Sequence, residues 1–164
     1  MNVWYTNFEV KAMNKHLFLD QLYALVSDEP NIIANLSNIS AFLNESFEDI
    51  NWVGFYLKEE KELVLGPFQG KPACVRIPLG KGVCGTAAFR KEVLRVEDVH
   101  QFIGHIACDS QSRSEIVLPI VINDEVIGVL DIDSPSYNRF TLKDENLLKD
   151  VVRLIEETVF KKGR

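Results

Sequence analysis

Apolar residues recur at helical spacing in two stretches near the start of the chain and in one near its end. Residues 14–27 and 32–47 both have this spacing, so each predicts an amphipathic helix that packs against a sheet. A third helix is predicted from Leu142 to Phe160, because Thr141 suits an N-cap and Asp144 suits the first turn. Its predicted buried stripe comprises Leu148, Val151, Val152, Ile155 and Val159.

Strands are predicted between these helices, where β-branched and aromatic residues alternate with polar ones. The shorter ones fall at residues 51–58, 62–65, 74–78 and 93–96. Residues 66–72 are rich in glycine and proline, which predicts a turn-rich connection. Residues 80–88 predict a glycine-rich turn that runs into a helix. The phosphate-loop pattern is missing from this turn.

The clearest alternation lies in residues 114–122 and 126–134, which predicts a β-hairpin with a three-residue loop at 123–125. Pairing Ile122 with Val126 turns the apolar positions of both strands to one core face. The predicted core positions are Ile116, Leu118, Ile120, Ile122, Val126, Gly128, Leu130 and Ile132.

The same register sets three acids together on the other face of the hairpin. Glu115 lies opposite Asp133, and Asp131 lies diagonally beside Glu115. Like charges at opposed positions destabilise a sheet, so folding alone would not select them. A cationic ligand or a shared proton would explain the cluster. The alternative is an acidic face exposed to solvent.

The order of elements predicts an α+β fold of one domain, residues 1–164, with residues 1–10 unassigned. Helices are expected on one face of an antiparallel sheet, and long loops are expected to cover a pocket on the other. Residues 97–112 form the longest irregular connection, and connections of that length are often functional. They include His100, His105 and Cys108.

Alternation along residues 51–58 places Val53, Phe55 and Leu57 toward the core and Trp52 and Tyr56 on the opposite face. These two rings have polar tips and are separated by a glycine. They could form a second core layer. They could also form a ligand platform with open space above the glycine at position 54.

Composition limits the classes of function. Apolar residues make up 46% of the 164-residue chain, enough for a full core. A net charge of −6 argues against nucleic acid and against anionic lipid. No apolar run approaches membrane-spanning length, and the first residues lack a signal-peptide pattern. We therefore expect a cytoplasmic protein.

The chain has three cysteines, Cys74, Cys84 and Cys108. An odd number without an export signal does not suggest a secreted disulfide framework. They could be buried thiols that act as small hydrophobic residues. However, all three lie in glycine-, proline- or polar-rich stretches. Cys84 is expected in the first turn of a helix, where the dipole favours a thiolate.

Several segments resemble the free methionine-(R)-sulfoxide reductases, enzymes built on a GAF domain. The resemblance is dense over about half of the chain, and the segment around Cys108 is the most specific. The matching segments are Asn51-Trp52-Val53-Gly54-Phe55-Tyr56, Gly66-Pro67-Phe68-Gln69-Gly70, Gly80-Lys81-Gly82-Val83-Cys84-Gly85, Gly104-His105-Ile106-Ala107-Cys108-Asp109, Ser112-Arg113-Ser114-Glu115 and Leu130-Asp131-Ile132-Asp133-Ser134.

The resemblance implies a six-stranded GAF sheet, a cytoplasmic homodimer and reduction of free methionine-(R)-sulfoxide. It implies no bound cofactor. Thioredoxin, which receives its electrons from NADPH, would reduce the enzyme again. Cys108 would attack the sulfoxide, and Cys84 or Cys74 would close a disulfide. The implied substrate pocket comprises Trp52, Tyr56, Glu115, Asp131 and Asp133.

The chemistry of these residue types fits that activity. A thiolate attacks the sulfoxide sulfur while an acid protonates its oxygen, and Glu115 is the first candidate for that acid. The remaining anions would hold the ammonium group of a free amino acid. His105 could assist Cys108, although a lone loop histidine is more often a surface residue. A second thiol would condense with the cysteine sulfenic acid that remains.

Three other interpretations fit parts of the sequence. A GAF-like sensor would bind a cyclic nucleotide or a chromophore, but a phosphate would meet three carboxylates. A metal site could form from Asp131, Asp133, Glu115 and a histidine. A purely structural domain would leave the paired acids unexplained.

Overall fold

The computed structural model describes residues 14–106 and 110–161 of the chain. The unassigned residues 1–10 lie outside these ranges. The elements, in chain order, are α1 (Lys15–Val26), α2 (Ile32–Ser46), β1 (Trp52–Glu59), β2 (Glu62–Gly70), β3 (Arg76–Pro78), α3 (Gly82–Arg90), β4 (Leu94–Val96), a 3₁₀ turn (Val99–Gln101), β5 (Ser114–Ile122), β6 (Glu125–Ser134), α4 (Leu142–Ile155) and a π-helical turn (Glu156–Phe160).

The predicted helices and most of the predicted strands are confirmed at these positions. The N-cap of α4 is Thr141, whose side chain accepts from the Asp144 backbone while the Asp144 carboxylate accepts from Thr141. This reciprocal capping box satisfies two backbone donors that the first turn would otherwise leave open. All five residues of the predicted buried stripe are buried. Within the described ranges, no helix is long and apolar enough to cross a lipid bilayer.

The sheet has six strands in the order β3-β2-β1-β6-β5-β4, and every neighbouring pair is antiparallel. The predicted α+β class is therefore confirmed. Its main core lies between one face and helices α1, α2 and α4. A second apolar cluster lies on the other face, where α3 packs with the connections before β3 and β5. The second face therefore has a short helix as well as the expected loops.

The two faces of β1 divide as the alternation predicts. Val53 and Phe55 are buried in the main core, whereas Trp52 and Tyr56 are buried in the second cluster. The two large rings therefore help form a second core layer on the face that α3 and the loops cover.

Strand β2 is longer than its sequence predicts. The turn-rich connection expected at residues 66–72 is wrong as far as Gly70, because β2 stays paired with β1 to that residue. A register shift lies between the pairs Gly54–Phe68 and Tyr56–Leu65. This bulge accommodates Gly66 and Pro67 within the strand, since a bulge tolerates a residue without a ladder donor.

The expectation of open space above Gly54 is also wrong. A Cβ added to Gly54 would lie 2.3 Å from Phe68 Cβ and 2.8 Å from the Pro67 carbonyl oxygen. The Phe68 ring instead stacks on Trp52, with ring centroids 5.2 Å apart. Glycine is required here because β2 presses directly onto the Gly54 Cα.

The β5–β6 hairpin has a two-residue loop, so the predicted three-residue loop is wrong. Asn123 and Asp124 have φ values of 51° and 66°, as a type I′ turn requires. Ile122 consequently pairs with Glu125, and not with Val126 as predicted. Past the register shift at Ile120, the predicted register returns, and it is confirmed for the pairs nearest the acids. The bulge absorbs the residue that the shorter loop releases.

Replacing Gly54 with alanine should lower the free energy of unfolding by about 3 kcal/mol, because the added methyl group must push apart the backbones of β1 and β2. Urea denaturation would measure the loss. Lys58→Ala, at an exposed position of the same strand, is the control and should stay within about 0.5 kcal/mol of wild type. An unchanged stability for Gly54→Ala would show that the two strands separate at little cost.

Candidate functional site

A pocket lies on the second face of the sheet, beneath the connections that precede β3 and β5. Strands β1, β5 and β6 form its floor, and the start of α3 forms one wall. Among the described residues, it brings together every predicted site residue except Cys74: Trp52, Tyr56, Cys84, Glu115, Asp131 and Asp133. Ala73, the neighbour of Cys74, also lines it.

Aromatic side chains line one side of this pocket. Trp52 stacks between Phe68 and Tyr56, at centroid distances of 5.2 Å and 5.8 Å. Phe68 does not line the pocket itself, but its ring supports the Trp52 ring by stacking on it. Its position follows from the β-bulge, which brings Phe68 opposite Gly54 and so onto the Trp52 face.

The polar tips of two of these rings are bonded to the chain above the pocket. The Trp52 Nε1 donates to the Lys71 carbonyl oxygen at 3.1 Å, and the Tyr56 hydroxyl donates to the Cys74 carbonyl oxygen at 2.9 Å. Burial, followed by the charge of Asp131, raises the pKa of Tyr56 far above its ordinary value. The hydroxyl therefore keeps its proton and remains a donor.

The three acids cluster as their register predicts. Glu115 lies opposite Asp133. Asp131, two residues before Asp133 on the same face of β6, lies opposite Val117. Glu115 is 6% exposed and Asp131 is 5% exposed, so the alternative of a solvated acidic face is wrong for this pair. A carboxylate oxygen from each lies within 4.8 Å of the other and of the Cys84 sulfur.

Burial changes the protonation of these acids. It raises the pKa of Asp131 to about 6, against opposing hydrogen bonds from Glu115 and Cys84. Burial, with the charges of Asp131 and Asp133, raises the pKa of Glu115 well above its ordinary value. The pair therefore retains a proton near neutral pH. The Oδ1 atom of Asp131 is buried and has no hydrogen-bond partner in the described part of the chain, so it can accept from a bound donor.

Cys84 is held over the acids by the packing of α3. A Cβ on Gly85 would lie 2.3 Å from the Pro78 carbonyl oxygen, so the helix begins in close contact with the end of β3. The Cys84 thiol donates to Glu115 Oε1 at a sulfur–oxygen distance of 3.7 Å. Burial and the nearby carboxylates raise the pKa of Cys84 well above its usual value. The expectation that the helix dipole favours a thiolate here is therefore wrong.

The remaining cysteines differ from Cys84 in state. Cys84 is a free, buried thiol, whereas Cys74 is engaged in a disulfide. Cys108 lies outside the described residues. The assignment of a nucleophile to Cys108 stays a prediction.

His105 is half-buried and lines the pocket. His105 is therefore not simply a surface residue, which a lone loop histidine more often is. Burial and the neighbouring His100 lower the pKa of His105, so its ring is neutral at pH 7. The His100 ring, 6.5 Å away between centroids, contacts Asp98 Oδ1 through Nδ1 at 3.0 Å. Ser112 was not predicted and also lines the pocket.

Comparison with known proteins identifies close relatives. Residues 19–159 match the GAF domain family. The free methionine-R-sulfoxide reductase of Escherichia coli is 56% identical over 151 residues, covering 90% of this chain and 92% of the relative.

Two solved structures extend this likeness. That of Staphylococcus aureus fRMsr in complex with its substrate is 53% identical, with a TM-score of 0.85 over 93% of this chain and 99% of its own. That of the Neisseria meningitidis free methionine-R-sulfoxide reductase with its substrate is 42% identical, with a TM-score of 0.90 over 100% and 98%.

The raised pKa of Asp131 makes stability depend on pH. The folded chain binds this proton more tightly than the unfolded chain, so the contribution is complete below the ordinary pKa of 3.8 and is lost as pH rises through about 6. We expect wild-type stability to fall over this window by up to about 1.4 kcal/mol per pH unit per proton.

Urea denaturation at several pH values would measure this slope. Asp131→Asn should make the slope shallower, because the amide cannot titrate and only Glu115 of the pair still does. Asp28→Asn, at an exposed position, is the matched control and should keep the wild-type slope. Equal slopes for wild type and Asp131→Asn would contradict the proposed proton on Asp131.

Proposed function

The chain belongs to the free methionine-(R)-sulfoxide reductases of the GAF-domain family, and from this premise we propose that it reduces free methionine-(R)-sulfoxide to methionine with its own cysteines. The observation that supports this best is the buried pair Glu115 and Asp131, which retains a proton beside an aromatic wall. Such a pair can protonate a sulfoxide oxygen as the bond to sulfur breaks.

In the first step, the thiolate of Cys108 attacks the sulfoxide sulfur. The oxygen takes a proton, and Glu115 is the proposed donor because its pKa is raised beside Asp131. The oxygen is transferred to the cysteine sulfur. Methionine leaves, and Cys108 becomes a sulfenic acid. The sulfoxide is reduced by two electrons and the cysteine sulfur is oxidised by two.

In the second step, Cys74 condenses with this sulfenic acid to form a disulfide, and water is released. Two observations favour Cys74 over Cys84. Cys74 is engaged in a disulfide, whereas Cys84 is a free thiol. Burial also keeps Cys84 as a neutral thiol, which is a poor nucleophile.

The pocket offers separate partners to the two ends of the substrate. The Trp52 ring presents a flat apolar surface to the methyl and thioether groups. The Oδ1 of Asp131, which has no hydrogen-bond partner among the described residues, and the nearby Asp133 face the position proposed for the ammonium group. A buried anion of this kind favours a free amino acid, since a peptide-bound methionine has no ammonium to offer.

We propose thioredoxin, supplied with electrons by NADPH, as the external reductant, and a cytoplasmic homodimer as the working form. No bound cofactor is needed, because the cysteines hold the electrons between the two half-reactions. Sedimentation of the reduced protein would test the dimer.

A second candidate is a metal-binding domain. One observation favours it: donor atoms of Cys84, Glu115 and Asp131 lie within 4.8 Å of one another in the buried pocket. A thiol with two carboxylates suits zinc better than magnesium. Stoichiometric zinc binding by the purified protein, together with no turnover of free methionine-(R)-sulfoxide, would favour this function over the reductase.

NADPH consumption with thioredoxin, its reductase and free methionine-(R)-sulfoxide tests the proposed reaction. Cys108→Ser should abolish turnover, because the hydroxyl is not nucleophilic enough to attack the sulfoxide. Cys84→Ser is the matched variant and should retain turnover within about tenfold, because the hydroxyl can still donate to Glu115. Turnover by Cys108→Ser would reject the nucleophile, and silence of the wild type would reject the activity.

Blocking the substrate ammonium tests the role of the acids. N-acetylation of the sulfoxide should lower kcat/KM by about a thousandfold, because it leaves buried carboxylates without their cationic partner. Asp131→Asn and Asp133→Asn should lower the ratio of kcat/KM for the free substrate to kcat/KM for the acetylated substrate. Equal kcat/KM values for both substrates in wild type would exclude ammonium recognition by these acids.

A further inference from the structure

A short segment, residues 71–74, crosses the pocket between β2 and β3, and we call it the arch. It has no secondary structure of its own. Its first carbonyl oxygen, that of Lys71, accepts from Trp52 Nε1 at 3.1 Å. Its last, that of Cys74, accepts from the Tyr56 hydroxyl at 2.9 Å. Both ends of the arch are therefore bonded to side chains from the pocket floor.

These two donors are themselves fixed in place. Trp52 and Tyr56 are buried on the same face of β1, and their rings stack at 5.8 Å. Strand β1 lies inside the sheet, paired with β2 and β6. Side chains this well packed have little freedom to move, so their hydrogen bonds hold the arch at a fixed position over β1.

The arch is also anchored at its two flanks. The Val75 carbonyl oxygen accepts from the Leu65 backbone at 2.9 Å, which starts the approach to β3. The Lys71 ammonium donates to Gln111 Oε1 at 2.9 Å and so connects the arch to the connection before β5. Of these anchors, the Tyr56 hydroxyl is the one that bonds to the Cys74 residue itself.

We propose that Tyr56 and Trp52 are positioning residues for disulfide formation, holding the arch so that the Cys74 thiol meets the cysteine sulfenic acid at the pocket. This inference rests on the proposed function, in which Cys74 is the second cysteine to react. In that step a sulfur–sulfur bond forms and the sulfenic sulfur–oxygen bond breaks. The thiol proton leaves with the hydroxyl as water, so no further oxidant is needed.

The physical reason is the effective concentration of the thiol. Two groups held within reach of each other react much faster than the same groups on a freely moving segment. Removing the Tyr56 hydroxyl leaves the Cys74 carbonyl oxygen without this donor and frees the end of the arch that bears the thiol. Disulfide formation should slow more than the attack on the sulfoxide, which does not involve Cys74.

A single-turnover experiment separates the two steps. Fully reduced protein is mixed with excess free methionine-(R)-sulfoxide and no reductant, then quenched at successive times. Released methionine reports the first step. Sulfenic acid trapped by dimedone and the disulfide-linked peptide, both measured by mass spectrometry, report the second. We expect Tyr56→Phe to lower the rate of disulfide formation relative to methionine release by about five- to tenfold.

The controls address folding and the identity of the second cysteine. Tyr23→Phe makes the same change at an exposed position on α1 and should keep the wild-type ratio of rates. Lys71→Ala removes the bond to Gln111 and should lower the ratio about twofold, which provides a second test if Tyr56→Phe does not fold. Cys74→Ser should accumulate sulfenic acid without forming a disulfide.

Each outcome has a distinct meaning. If Cys74→Ser still forms a disulfide, the assignment of Cys74 in the proposed function is wrong. If Cys74→Ser forms no disulfide but Tyr56→Phe keeps the wild-type ratio of disulfide formation to methionine release, the positioning role is overturned while the proposed function stands. If Tyr56→Phe slows both steps equally, Tyr56 acts on the substrate alone, which also overturns it.

Discussion

Two carboxylic acids buried on the same face of a β-hairpin are the constraint on which the site depends. Glu115 and Asp131 lie in a pocket closed by aromatic rings and a helix, where an ionised pair would be costly. The structure lowers that cost by keeping a proton on the pair and by directing the Cys84 thiol at Glu115. A group that loses water in this way becomes an acid usable near neutral pH.

The opposite face of the sheet keeps these acids in register. Ile116 and Ile132 pair with each other and are buried among the residues of the main core. A slip of either strand by one residue would exchange the two faces of that strand, burying acids among helices and exposing isoleucines to the pocket. The core on one face of the sheet therefore fixes the chemistry on the other. Because the bulge absorbs the difference in loop length near the turn, the pairing of Ile116 with Ile132 is not disturbed.

This coupling explains why the acid cluster could be predicted from the sequence. Alternation over residues 114–120 and 128–134 determines which residues face the core, and the positions of Glu115, Asp131 and Asp133 follow from it. The loop was mispredicted because a two-residue type I′ turn and a bulge together give the same register as the predicted loop. Register near the acids was therefore insensitive to the error at the turn.

Other features depend on contacts that periodicity does not encode. The contact between Phe68 and Gly54 requires a bulge whose place in β2 is set by tertiary pairing. The protonation of Cys84 was mispredicted because the helix dipole acts alone only at an exposed helix end. Here burial and three carboxylates outweigh it. The residues of the pocket were predictable from strand patterns, whereas their ionisation depends on how many acids converge.

Trp52 and Tyr56 reconcile two interpretations that their alternation left open. A second core layer and a ligand platform would exclude each other only if each side chain had a single surface for contacts. Each ring here packs in the apolar cluster and lines the pocket, while its polar tip bonds to the arch. An amphipathic aromatic side chain can do all three, because the ring and the tip point in different directions. A phenylalanine in place of Tyr56 would fill the core nearly as well but would remove the donor to the Cys74 end of the arch.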